Sequence, residues 1–230
     1  MKLNTRSKCD RQIYHKHFTT ISSSSKVRSS TGYTIIEILL IVSIIGIFSG
    51  IAVPAWIGFA SRQQLRTGAT RVYWAMRTAQ SEAKRQKISV QASFREKDNR
   101  VQWAVHPASV PPNDLSDTAW ESLPAGVLID DKVRNDKGKY EASLPKVNPA
   151  DNSVRDAGTV YRALFNYKGC PVYKSTDECT QTSIEAKGGL ALIHKNLEKS
   201  KRCVIISTLI GVVRIGQEHK KANPNDRYCY

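Results

Sequence analysis

Gly32-Tyr33-Thr34-Ile35-Ile36-Glu37 decides how this chain is read, because it opens an apolar run that continues to Phe59. No charged residue interrupts positions 38 to 59. At 1.5 Å per residue, those 22 residues are long enough to span a hydrocarbon core of about 30 Å. Ile, Leu and Val dominate, and Gly46, Gly50 and Gly58 leave room for close helix approach in an assembly. Pro54 removes one backbone hydrogen bond, which predicts a kink or a loosened turn. Glu37 stands at the mouth of this segment. An acidic residue well inside a bilayer costs about 2.5–3.5 kcal/mol, so its carboxylate either marks the lipid interface, where the cost is small, or is retained for a purpose.

Beyond the membrane-length segment the helical pattern continues. Leu65, Ala69, Val72, Met76, Ala79 and Ala83 recur in steps of three and four, one apolar stripe suited to packing on a sheet. Arg62, Arg66, Arg71, Arg77, Lys84, Arg85 and Lys87 fill much of the rest, with Glu82 the one acid. After Ile88 the period changes to that of strands. Residues 89–94 and 100–106 alternate around Lys97-Asp98-Asn99, which reads as a hairpin. The stretch 120–127 reads as a turn entering a short strand, and 159–165, 189–194 and 203–215 supply the later strands. Two stretches rich in Pro, Asn and Asp, 107–118 and 130–156, are expected to be irregular surface excursions. A helical spine followed by antiparallel strands defines an α+β class.

Charge and cysteine usage refine the organisation. Of the formal net charge of +15, residues 1–32 hold +6, from seven Lys/Arg against Asp10, and the remainder holds +9. The first 32 residues are Ser-rich and lack apolar periodicity, so disorder is expected there. No apolar core precedes Gly32, unlike an ordinary secretory signal. Cys9 lies in this segment, which leaves Cys170, Cys179, Cys203 and Cys229, an even set suited to an oxidising compartment. Four cysteines allow three pairings; Cys170–Cys179 as a short local loop and Cys203–Cys229 as a fastener of the tail are favoured. No Cys-x-x-Cys appears, and no histidine sits at ligand spacing from a cysteine, so neither a redox nor a metal role is read for them.

The string Gly32–Glu37 with Pro54 resembles the processing site of type IV pilins and type II secretion pseudopilins. The resemblance implies cleavage after Gly32 by a prepilin peptidase and N-methylation of Tyr33. It makes Glu37 the fifth mature residue and Pro54 the twenty-second. Further along, Trp120–Val127 is similar to the "W…LP-x-G-V" stretch of GspH/FimT-type minor pilins. Residues 201–216 are similar to the closing hairpin-and-cysteine block of that family, and Arg77-Thr78-Ala79-Gln80-Ser81-Glu82-Ala83 is of the same type. The resemblance implies a type IV pilin-like fold, a long N-terminal membrane-spanning helix whose amphipathic half packs on antiparallel β-sheet. The expected organisation is a cleaved basic leader (1–32), a transmembrane and assembly helix (33–60), its amphipathic continuation (61–88) and a β-rich domain (89–230). The protein would sit in the inner membrane as a single pass with its C-terminal domain outside the cytoplasm, then enter a filament. The orientation rests on this resemblance and on the cysteines, because Arg62, Arg66, Arg71 and Arg77 outnumber Lys26 and Arg28 and the positive-inside rule alone gives the opposite answer.

Within the resemblance, a neighbouring subunit's Glu37 neutralises the Tyr33 amine and sets the axial register between subunits, while the region of Pro54 partly unwinds on assembly. The partners implied are the peptidase, other pilin or pseudopilin subunits and the inner membrane. A DNA-uptake role is the alternative, since some FimT-type pilins bind DNA. Lys199, Lys201, Arg202, Arg214, Lys220, Lys221 and Arg227 are the candidate phosphate contacts, with Tyr228 and Tyr230 placed to stack on bases. An enzyme is not expected. The five histidines are scattered, and nucleophile, Walker and His-Glu-x-x-His motifs are missing from the sequence. Asp130-Asp131, Asn135-Asp136-Lys137-Gly138 and Asp177-Glu178 read as solvated turns rather than calcium loops, because their spacing is wrong and lysines and arginines intervene. No cofactor is expected.

Overall fold

The computed structural model describes residues 32–131, 141–181, 187–224 and 227–230. Helix α1 spans Ile35–Gln86. Thr34 caps it: the Glu37 amide donates to Thr34 Oγ1 at 3.3 Å, and the Ile38 amide donates to the Thr34 carbonyl at 3.2 Å. Thr-x-x-Glu is a capping-box sequence, and a carboxylate in the first turn also meets the positive end of the helix dipole. From Ile35 to Val53 every side chain is exposed. Among the described residues α1 is the one helix long and apolar enough to cross a membrane. The Ser43 hydroxyl donates back to the Leu39 carbonyl at 2.8 Å, so the helix itself satisfies this polar group. The helix continues through Pro54, whose side chain lies outside the described residues. The chain divides into two units, one ending at Gly46 and one formed by Ile47–Tyr230. The hydrophobic core and both sheets belong to the second.

The later part of α1 buries one stripe. Leu65, Ala69, Val72, Ala75, Met76, Ala79 and Ala83 are all buried in a single hydrophobic core. Lys87, at φ 60°, takes the left-handed position just past the last turn and ends the helix. Strands β1 (Val90–Lys97) and β2 (Arg100–Pro107) follow as an antiparallel hairpin. Asp98 and Asn99 both have positive φ, 54° and 58°, the geometry of a two-residue type I′ turn. β3 (Glu121–Ser122), β4 (Val127–Ile129), β5 (Lys146–Val147), β6 (Val160–Phe165), β7 (Gly189–His194), β8 (Leu197–Ile206) and β9 (Val213–Gln217) complete the set. They form two antiparallel sheets, ordered β3-β2-β1-β6-β5 and β4-β7-β8-β9. Phe94 and Phe165 from the first sheet, and Leu190, Leu192 and Val204 from the second, join the same core as the α1 stripe. The protein is thus α+β, with one long apolar N-terminal helix and antiparallel sheets.

Several boundaries differ from the sequence expectation. The stretch 203–215 is not one strand: β8 begins earlier, at Leu197, and residues 207–212 turn the chain into β9. Gly211, at φ 79°, permits that turn, and a Cβ there would lie 2.5 Å from Gln80 Nε2. The stretch 107–118 contains one 3-10 turn, Pro112–Asp114, and enters a second, Asp117–Ala119, while the stretch 130–156 contributes β5. Residues 132–140 of that second stretch lie outside the described residues.

Polar side chains of α1 tie the loops to the helix. Gln64 Oε1 accepts from His194 Nε2 at 2.8 Å, and Arg71 donates to the Ser122 carbonyl at 2.8 Å. Gln80 Nε2 donates to the carbonyls of Gly169 and Gly211 at 2.8 and 3.0 Å. A second polar cluster covers the other face of the first sheet. Gln91 and Ser93 of β1 and His106 of β2 are buried there. Gln91 and Asn152 exchange amide hydrogen bonds at 3.1 and 3.2 Å. His106 Nδ1 donates to the Pro107 carbonyl at 3.1 Å, which leaves Nε2 to accept from Ser93 Oγ at 2.9 Å and from Gln91 Nε2 at 3.2 Å.

That arrangement fixes His106 as neutral. Burial lowers its pKa below the ordinary histidine value, outweighing the backbone hydrogen bonds that raise it. A base with a lowered folded pKa binds protons more readily when unfolded, so its stabilising share is complete above about pH 6.5 and is lost as pH falls toward the folded value. His194 shifts in the same direction, chiefly by burial. We predict that the urea midpoint of the detergent-solubilised chain falls between pH 7.5 and 5.5, and that His106→Gln flattens the fall. An unchanged slope in that variant would refute the assignment.

Candidate functional site

The amino-terminal end presents its groups openly. Gly32, Tyr33 and Thr34 precede the helix, lie outside regular structure and are exposed. Glu37 is exposed in the first turn, and among the described residues its carboxylate has no cation within ion-pair distance. Chemically this is an accessible backbone at Gly32 followed, less than two turns later, by a carboxylate available to an amine from outside. The sequence reading of Glu37 overlooked its position as the third residue after the Thr34 cap, although Thr-x-x-Glu was the signal.

The cysteines close two loops. Cys170 joins Cys179 with Cα atoms 5.5 Å apart, and Cys203 joins Cys229 with Cα atoms 6.0 Å apart. The second bond seats the last residues along β9. Gln217 and Tyr230 exchange backbone hydrogen bonds, the His219 amide donates to the Tyr228 carbonyl at 2.8 Å, and the His219 ring stacks on Tyr230 at 3.9 Å. Glu141 accepts from the amides of Tyr228 and Cys229 at 3.0 and 3.4 Å.

The basic residues singled out from the sequence do not form one exposed set. Arg214, Lys220 and Lys221 are exposed. Arg202 is half-buried, and its Nη1 donates to Gln217 Oε1 at 3.2 Å. Arg227 is partly buried beside Glu141: desolvation lowers its pKa and the carboxylate works against that shift. Lys201 is ion-paired with Asp130, the two side chains 10% and 2% exposed. The side chain of Lys199 lies outside the described residues. Asp130 is therefore not part of a solvated turn, as its sequence context suggested. The lysine that holds it stands 71 residues away, beyond the reach of local pattern.

Two other groupings bear on chemistry. Ser93 Oγ and His106 Nε2 stand at the distance of a nucleophile and its base, yet both side chains are sealed in the fold, where a substrate cannot reach them. Asp177 Oδ2 accepts from the Lys174 amide at 2.9 Å, and Glu178 pairs with Lys168 at 2.8 Å. Both acids thus serve their own loop. The Asn135–Gly138 turn, His15 and His17 lie outside the described residues. Comparison with protein-family models, with curated proteins and with solved structures finds no match in any of the three.

Removing one partner of a buried ion pair leaves an uncompensated charge. Lys201→Met is expected to destabilise the full chain by about 3–5 kcal/mol. The double substitution Asp130→Leu with Lys201→Met should recover most of the loss, since apolar replacement of both partners is often near neutral. Urea unfolding followed by tryptophan fluorescence checks both. Equal losses in the single and double variants would show that the pair is not what is being removed.

Proposed function

We propose that this chain is a type IV pilin-like subunit, a structural minor pilin or pseudopilin. It is cleaved after Gly32, methylated on Tyr33 and assembled into a filament through α1. The observation that carries this reading is the junction of an exposed Gly32–Glu37 segment with a helix that has no buried side chain over its first turns and a buried stripe later. The pilin-like fold and the GspH/FimT-type kinship belong to the same proposal. Two disulfides support a domain that matures outside the reducing cytoplasm. In this reading Glu37 pairs with the Tyr33 amine of a neighbour at low dielectric, where attraction is strong and desolvation of both ions offsets much of it. The chain is then a substrate of the prepilin peptidase rather than itself an enzyme.

DNA contact during uptake is the second reading. Exposed Arg214, Lys220 and Lys221 favour it, whereas the acidic neighbours of Lys201 and Arg227 subtract from the charge offered to phosphate.

Glu37→Ala is expected to leave cleavage largely intact and to reduce recovery of the subunit in sheared filaments at least ten-fold. N-terminal sequencing and immunoblotting of the two fractions measure these separately. Normal co-purification of the variant would overturn the role of Glu37. A chain left uncut after Gly32 by an active peptidase would overturn the whole reading.

A further inference from the structure

The described part of the fold contains a basic pocket between α1 and the second sheet. Arg62, Leu65 and Arg66 of α1 form one wall, and Lys201 and Arg202 of β8 with Gln217 at the end of β9 and Glu218 just after it form most of the rest, around a cavity of about 200 Å³. A water molecule takes about 30 Å³ of liquid, so the space admits a group several times larger. Basic groups outnumber acidic ones among its described lining residues. Among the described residues Arg62 and Arg66 have no carboxylate partner, and Arg202 donates only to the neutral amide of Gln217. Lys201 is ion-paired with Asp130, and among the described residues the lining then holds three arginines, Arg62, Arg66 and Arg202, and one acid, Glu218. Arg62 and Arg66 are also like charges at i,i+4, an arrangement that weakens a helix unless an anion offsets it. Guanidinium groups bind phosphate through paired N–H donors, and three around one cavity match a phosphodiester.

Position identifies the source of that phosphate. The apolar run ends at Phe59, whose ring lies 6.1 Å from that of Trp56, and both are exposed, as interfacial aromatic anchors are. At 1.5 Å per residue Arg62 lies about 4.5 Å beyond Phe59 and Arg66 about 10 Å beyond it. The headgroup layer is about 5–8 Å deep on each side of the hydrocarbon. Arg62 therefore falls within the layer that holds lipid phosphates and Arg66 just beyond it. We propose that this pocket binds the phosphate of an anionic phospholipid headgroup in the leaflet from which residues after Phe59 emerge. The site rests on α1 being membrane-embedded and is independent of cleavage or filament assembly.

The test uses the full chain in nanodiscs of phosphatidylcholine alone or with one quarter phosphatidylglycerol, followed by native mass spectrometry of the lipids retained. The unaltered protein should retain phosphatidylglycerol in preference to phosphatidylcholine. Each basic group near an anionic surface is worth about five-fold in affinity, so Arg62→Gln, Arg66→Gln and Arg202→Gln together should cut that preference at least ten-fold. Lys220→Gln with Lys221→Gln, exposed and outside the pocket, should leave it intact. Equal melting temperatures in phosphatidylcholine discs establish that the pocket variants still fold, and Arg→Lys at the same positions should restore part of the preference. Equal loss in the Lys220/Lys221 variant would reduce the effect to general charge and overturn the site. Displacement of the lipid by millimolar inorganic phosphate, or by an oligonucleotide acting through the same three arginines, would overturn the lipid assignment. Resistance to carbonate extraction is scored in parallel: an extracted chain refutes the embedded helix, whereas an integrated chain without lipid preference refutes the pocket alone.

Discussion

One helix carries two kinds of surface. Through Val53 every side chain of α1 is exposed, and the segment is apolar on all faces, the surface that a hydrocarbon environment tolerates. From Leu65 onward the same helix buries one narrow stripe and keeps basic groups on the remainder. Residues of both sheets join that stripe in one hydrophobic core. Alanine at positions 69, 75, 79 and 83, together with Gly68, keeps the backbone close to the sheets. A Cβ at Gly68 would already lie 3.1 Å from Val127 Cγ1. Burial of Leu65, Val72 and Met76 adds about 1.5–3 kcal/mol each.

Around the stripe, polar groups decide how the loops lie. Gln64, Arg71 and Gln80 each reach a different connection, so the helix is held to β7, to β3 and to the turns at Gly169 and Gly211. Such bonds add about 0.5–1.5 kcal/mol each when made, and breaking one inside the fold costs more. The Asp130–Lys201 pair and the Glu141 carboxylate beneath Tyr228 and Cys229 follow the same logic. Lys201 holds the buried Asp130 carboxylate and two backbone amides hold that of Glu141, so each favours one arrangement of the chain.

Local pattern carried the sequence reading as far as local physics reaches. The stripe from Leu65 to Ala83 follows from helical period, with Ala75 omitted because it falls beside the strict three-and-four step. The β1–β2 hairpin follows from alternation around Asp98-Asn99. The turn at 207–212 was hidden because Leu209, Ile210 and Val212 continue the apolar character of β8, and Gly211 alone marks the bend. The division into two sheets was also out of reach, since β1 pairs with β6 across some 70 residues and β4 with β7 across about as many. At the candidate site, the string Gly32–Glu37 is contiguous in sequence, and the structure shows it exposed at the start of α1. The fate of Lys201 and Arg227 was not legible, because a basic residue in sequence does not reveal which acid faces it.

The Cys203–Cys229 bond has a mechanical consequence. When the chain is pulled between α1 and Tyr230, tension entering β8 passes through sulfur at Cys203 and leaves at Cys229. The 26-residue separation between them carries none of it. At about 3.4 Å per residue that segment amounts to about 90 Å of hidden length. Cys170–Cys179 withholds a further 9-residue separation, about 30 Å. Even fully unravelled, the domain has a maximum reach set by covalent bonds, and β9 stays slack beside a strand under load.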